Sequence, residues 1–419
     1  MHSTEHNVDN PRQPADAASL IDHLAAEHEA AWIVYRRERH CSPEASGEET
    51  ETSHSICERL KSLGIASAIP ERQVGVVGDL LLGNATQQSP AIAIRADIDA
   101  LRLPDRKDVG YASIKEGLAH ACGHDVHTTV VLAVAELLCR LKKAGQSPLP
   151  NARIRFLFQA AEETCDGANW MIEDGMLQNV RSIIGLHVEP NLLAGQVGIR
   201  YGVFTAGVDE VFIRVRGRGG HTARPHSTSD PVHAAAMLVN SLYQILPRSV
   251  DVRDASVFTV GQIHGGQTAN VIPDEVTLGG TLRTVDPTAR AELMNRIRST
   301  GEHLAAMTGN EITVEFRHPL GSVVNAPTET AAFEAASREV LGDDGVLLLD
   351  RPSMGGEDFA MYLDHCPGAQ IRLGCAGSLP WPHLHSPMFD VDEKAIAVGA
   401  RIIARTALKL AANQAPTSN

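Results

Sequence analysis

The chain has 419 residues, 43% of them hydrophobic and 21% charged, a soluble globular composition on a length that exceeds one ordinary core and favours two domains. Its formal net charge of −14 excludes nucleic acid as the main partner, because binding phosphates requires a basic surface. Seven cysteines without a framework spacing read as reduced thiols of the cytoplasm, and no apolar run approaches the roughly 18 residues of a membrane span.

From the N-terminus, Met1 to about Ala15 is polar and lacks the basic start and apolar core of a signal peptide; it and Gln414 to Asn419 are expected to fray. A helix is predicted from about Asp16, which can cap it, to Arg39, and another over Glu48 to Leu63. Short apolar runs then stop at polar residues: Ala91–Ile94 before Arg95-Ala96-Asp97, Ile154–Phe158 before Gln159, Ile183–Leu186 before His187. Helical patterns at Thr128–Lys143 and Ala168–Gly175 intervene. Strands alternating with helices imply an α/β fold with a mixed, mostly parallel sheet covered on both faces. Ligands bind beyond the carboxyl ends of such strands, where Asp97, Glu162-Glu163 and His187 fall.

The middle third has another rhythm. Val208–Arg216, Pro231–Pro247, Ala255–Ile263, Glu275–Arg283, Pro287–Thr308 and Glu311–Arg317 read βαββαβ, a ferredoxin-like unit. It is expected as an insert at 207–317, dividing a first domain into 16–206 and 318–413.

The hexapeptide His120-Ala121-Cys122-Gly123-His124-Asp125 carries the strongest chemical signal. A thiolate and an imidazole two positions apart, across a glycine, can turn toward one cation such as zinc. Alone it could equally be a buried cysteine at a helix start. With Cys122, His124, the glutamate pair, His187 and one histidine of Trp381-Pro382-His383-Leu384-His385, the candidate ligands exceed what one tetrahedral ion needs, which suggests two bridged ions. Glu162 and Glu163 leave a strand on opposite sides, so one is expected to bind metal while the other serves as general base. Spacing does not choose between His383 and His385. In the insert, His221 follows a glycine cluster, Asn270 lies in a second loop, and Arg283 ends a strand where it could grip a carboxylate. Gly355-Gly356-Glu357-Asp358 reads as an acidic helix start.

Taken together, the motifs Arg95–Leu101, His120–Asp125, Gln159–Glu163, Gly185-Leu186-His187, Gly219-Gly220-His221, Asn270–Pro273 and His385-Ser386-Pro387 resemble the co-catalytic metallopeptidases that include aminoacylases, hippurate hydrolases and indole-acetyl-amino-acid hydrolases. The likeness covers nearly the whole chain. It implies a zinc-exopeptidase-like fold and two divalent ions, zinc or manganese first, nickel or cobalt as alternatives. The implied ligands are Cys122, His124, Glu163, His187 and His385, with Asp97 and Asp125 orienting them and Glu162 as base. His221, Asn270 and Arg283 match residues that hold the substrate carbonyl and free carboxylate, His221 across a homodimer interface made by the insert. The implied partner is a small N-acyl amino acid or related amide. The alternatives are a dipeptidase or carboxypeptidase of the same family, or a metal-binding protein without catalysis. Ala160 and Thr164-Cys165-Asp166 depart from the family's usual residues near the expected substrate cavity.

Overall fold

The computed structural model describes residues 16–145 and 149–413, so the ends expected to fray lie outside the described residues. The first helix, Ala17–Cys41, begins as read: the Asp16 carboxylate accepts from the Ser19 N–H at 2.7 Å. It packs with the helices His124–Ala144 and Lys394–Ala412 on one face of a central sheet. Among the described residues that sheet has eight strands. Val76–Leu82, Ala152–Gln159, Ala91–Asp97, Val180–Leu193 and Gly368–Ala376 lie side by side in that order. The strands Ala152–Gln159, Ala91–Asp97, Val180–Leu193 and Gly368–Ala376 are mutually parallel, while Val76–Leu82 runs against its neighbour, giving the mixed sheet expected. Ala91–Asp97 is buried at every position, which explains its unbroken apolar run before Arg95.

Two elements differ from the sequence reading. The helix expected from Thr128 starts at His124, because Gly123 takes a φ of +88° and turns the chain into the helix. A Cβ at Gly123 would meet Val188 Cγ2 at 2.4 Å, so the glycine also lets this loop close on the strand bearing His187. That strand does not stop at His187 but runs to Leu193, held by parallel pairing with Gly368–Ala376 through Glu189. His187 therefore projects from within a strand.

A second, antiparallel sheet of four strands is ordered Ser256–Gly265, Glu275–Thr284, Gly207–Arg216, Glu311–Leu320. The helices Pro231–Ile245 and Pro287–Thr308 cover it, and Val211, Ile213, Leu238, Leu278 and Ile297 form a core separate from that of the large sheet. The βαββαβ order is the one expected. Its first and last strands pair with each other, so the two connections to the larger unit lie together. Among the described residues no helix is long and apolar enough to cross a membrane.

Candidate metal centre and its surroundings

The strands Ala152–Gln159 and Val180–Leu193, which flank Ala91–Asp97, and the segments bearing Cys122-Gly123-His124 and His385 bring the candidate ligands to one place. Cys122 Sγ lies 3.4 Å from His187 Nε2 and 3.4 Å from His385 Nε2. His385 Nε2 is 3.4 Å from a Glu163 carboxylate oxygen, and His124 Nε2 is 3.9 Å from the same oxygen and from Glu162 Oε2. Two of the donor groups, Cys122–His124–His187 and Cys122–Glu163–His385, share the sulfur, and a third, His124–Glu162–Glu163, joins the glutamate pair to them. His383 belongs to none of these groups.

The environment leaves these donors bare toward one another. His187 Nδ1 lies 2.8 Å from the Val188 carbonyl, which fixes the N–H on that side and turns the Nε2 lone pair toward Cys122. His124 Nδ1 faces the Asp99 carbonyl and carboxylate, each at 3.0 Å, with the same result. His124 Nε2 and Glu163 Oε1 are buried without a hydrogen-bond partner, a costly state for polar atoms. A cation between the groups satisfies both atoms, and the thiolate, imidazole and carboxylate donors suit zinc-type divalent ions. The residues therefore fit metal. Burial and the Glu163 carboxylate push the Cys122 thiol well above its ordinary pKa; a nearby cation is what would hold it as thiolate.

Glu162 takes a different direction from its neighbour. Ala161, at φ +53°, turns the chain just before the pair. Glu162 is buried beside Glu357 and Asp358, and burial with those two carboxylates pushes its pKa well above the usual range. Below them Arg95, buried in its strand, donates to Asp97 at 2.7 Å and Asp358 at 2.7 Å and sits 3.3 Å from Glu357. The acidic helix start read at Glu357-Asp358 is present: the helix Phe359–Leu363 follows Asp358, and the Glu357 carboxylate accepts from the Phe359 N–H at 3.2 Å. What that reading missed is the buried cluster, in which the Asp358 carboxylate accepts from Arg95 and Gln159 and Glu357 accepts from Gln370. The available signal was Arg95 itself, since a guanidinium in a fully buried strand must find carboxylates.

The supporting acids also sort themselves. Asp97 accepts from His127 Nδ1 at 2.6 Å and from Arg95, and reaches His124 Nε2 only at 3.8 Å. Asp125 is held by Arg36 at 2.7 Å and His40 at 2.8 Å and touches no candidate ligand side chain. The residue that bridges two ligands is Asp99, which sequence reasoning missed. Besides His124 it accepts from the Glu163 N–H at 3.0 Å and the Ser46 hydroxyl at 2.7 Å.

A cavity of about 780 Å³ opens over the cluster, lined by Cys122, Glu162, Glu163, His187 and His385 and, from the smaller sheet, Arg283. A cleft of about 610 Å³ beside Val324 and Met361 contains none of the donor groups. His221 and Asn270 are not brought to the cavity within one chain. Both are exposed on the insert, where His221 Nδ1 accepts from the Ala223 N–H and the Asn270 carbonyl accepts from Thr222.

Residues 93–409 match the family described as peptidase family M20/M25/M40. The chain belongs to this family. An N-acetyl-L-cysteine deacetylase of Bacillus subtilis is 37% identical over 90% of this chain and 88% of its own length. IAA-amino acid hydrolase ILR1-like 4 of Arabidopsis thaliana is 36% identical over 90% of this chain and 85% of its own. Among solved structures, the YXEP protein of Bacillus subtilis, described as a dinuclear metal binding peptidase of the M20 family, superposes with a TM-score of 0.80. It is 31% identical and covers 93% of this chain and 99% of its own. The expected family and sheet architecture hold, and the M20 chain is a metal-dependent amidohydrolase.

Proposed function

We propose that this M20 enzyme cleaves the amide of N-acyl amino acids or closely related small amides. The observation that carries the reading is the pair of donor groups sharing Cys122, with a spare buried glutamate beside them. The names of the deacetylase and the IAA-amino acid hydrolase support the substrate class. Cys122, His124, Glu163, His187 and His385 would hold two divalent ions, zinc or manganese first. When bound, such ions polarise a carbonyl and make water more acidic.

The chain's own residues supply the rest. Glu162 takes a proton from the attacking water and delivers it to the leaving nitrogen, a role that its raised proton affinity favours. Asp99 keeps His124 and the Glu163 backbone in place. Arg283 lines the cavity without an ion pair and is free to hold the substrate carboxylate. His221 and Asn270 act from the insert of a second copy, which makes the working unit a homodimer; His221 then donates to the developing oxyanion. This reading divides the chain into 16–206 and 318–413, with 207–317 as lid and dimerisation domain, working in the cytoplasm.

The test is a panel of N-acyl amino acids and dipeptides assayed with and without chelator. Hydrolysis of the acyl compounds that disappears on chelation and returns with zinc or manganese is expected. Chelator-insensitive turnover, or cleavage of dipeptides alone, would overturn the reading.

A further inference from the structure

Arg372 lies on the strand Gly368–Ala376, in register with His187 on the neighbouring parallel strand, and lines the same cavity. Two residues away on the same face, Gln370 donates to Glu357 at 3.0 Å, so this face of the strand looks into the site. The Arg372 guanidinium carbon stands 5.1 Å from the centre of the Phe204 ring, and Phe204 is itself buried. Stacking on a ring steadies a guanidinium while leaving its in-plane N–H donors free.

Those donors have no protein partner. Arg372 makes no ion pair or hydrogen bond with its side chain among the described residues, although the chain has 51 acidic residues against 37 basic ones. The contrast with the two fully buried arginines is direct: Arg36 and Arg95 each meet three carboxylates within 4 Å. None of the acids of the cavity wall, Glu162, Glu163, Asp166, Glu210 and Glu357, forms an ion pair with Arg372. Glu163 points to His385, and Glu357 to Arg95 and Gln370. Arg283, from the smaller sheet, also lacks an ion pair; one of its nitrogens donates to the Met354 carbonyl at 2.8 Å. Two guanidiniums on separate sheets thus line one cavity with donors to spare.

We infer that the substrate is a dianion: an N-acyl amino acid whose α-carboxylate meets Arg283 and whose second carboxylate meets Arg372. The inference rests on the amidohydrolase reading above and narrows it. The second carboxylate can belong to the side chain of the amino acid or to a dicarboxylic acyl group; the recognition chemistry is the same, a planar fork against a carboxylate. The bond changes are those of amide hydrolysis. Water oxygen joins the acyl carbon, the C–N bond breaks, and the nitrogen leaves carrying the proton.

The test compares N-acetyl-L-glutamate with N-acetyl-L-glutamine, and N-succinyl-L-alanine with its terminal amide, on zinc- or manganese-loaded protein. One dianion should exceed its monoanionic partner in kcat/KM by roughly ten- to a hundredfold, the range of one charge-assisted pair. That ratio should fall toward one in Arg372→Gln and recover in part in Arg372→Lys; the pair that responds identifies which end carries the second charge. Ratios near one in the wild type, or a preference unchanged by Arg372→Gln, overturn the inference while leaving the amidohydrolase reading intact. If no amide is hydrolysed, that reading fails, and calorimetry of the same four compounds on metal-free protein still decides about Arg372. A dianion bound about tenfold or more weaker by Arg372→Gln supports the inference, and equal binding overturns it.

Discussion

Replacing Asp99 by Asn tests whether the ligand cluster is held by its supporting bonds. Asp99 is buried, and its two oxygens accept from three donors: His124 Nδ1, the Ser46 hydroxyl and the Glu163 N–H. Burial opposes its charge, yet the bonds from His124 and Ser46 and the Glu163 N–H outweigh it and hold the carboxyl below its ordinary pKa. An amide of the same shape keeps one accepting oxygen and gains an NH₂. Whichever way it turns, that NH₂ faces either the His124 N–H or the Ser46 and Glu163 donors. At least one donor, the new NH₂ itself or the Glu163 N–H, is left without an acceptor, at a cost of about 1–3 kcal/mol. The His124 tautomer survives, because the Asp99 backbone carbonyl still accepts from Nδ1 at 3.0 Å. The loss should therefore appear as misplaced ligands, with metal affinity down about 10- to 100-fold. Competition with a chromogenic chelator measures it directly, with circular dichroism reporting that the fold is retained. Affinity within about twofold of wild type would refute Asp99 as the residue that positions two ligands.

Glu162→Gln should lower turnover by roughly 10²- to 10⁴-fold with metal content unchanged by elemental analysis; near-normal turnover would remove the general-base role. Arg283→Ala should raise KM for substrates with a free carboxylate while leaving their methyl esters much less affected, and an equal loss on the esters would remove the clamp. Arg95→Met leaves Asp97, Glu357 and Asp358 buried without their cation and should cost about 3–5 kcal/mol in urea unfolding; a loss below about 1 kcal/mol would show that the cluster neutralises itself by protonation. Glu49, pushed up to about 7 by burial and by Asp99, is protonated in the folded chain where the unfolded chain has already lost the proton, so its stabilising effect is full below pH 4.5 and gone above about 7. In metal-free protein Glu49→Gln should flatten that decline and gain up to roughly 3 kcal/mol at pH 8; parallel pH curves for the two proteins would refute the shift.

Those parts of the site that rest on local chemistry were legible in the sequence. Cys122 and His124 could be read because two donors flank a glycine, and Glu162-Glu163 because a strand end separates adjacent side chains. The parallel strands around Ala91–Asp97 were legible as apolar runs that end in polar residues. Long-range pairing was not. Asp99 looks like one more acid after a strand until His124 and Glu163 fold onto it, and Glu357-Asp358, which do open a helix, give no sign of the Arg95 that reaches them from 262 residues away or more. Arg372 gave no signal, because an arginine without a protein partner is defined by what the fold leaves vacant around it. The extent of the strand past His187 was equally hidden, being fixed by pairing with residues near 370 rather than by its own composition.

The two neighbouring glutamates show how one backbone turn separates two kinds of chemistry. Glu163 faces Cys122 and His385, donors that gather electron density toward a shared point, so an ionised carboxylate there is useful only to a cation. Glu162 is buried facing Glu357 and Asp358, and burial first, then those charges, raise its affinity for a proton. Arg95 neutralises part of that charge from the far side, without a contact to Glu162 within 4 Å, and so lets the acidic group persist in a buried place. A protein that only stored metal would gain nothing from a carboxylate tuned to hold and release a proton beside the donors. Environments that push two carboxylates apart are the usual means of dividing ligand from acid–base work, and here the division is made between consecutive residues.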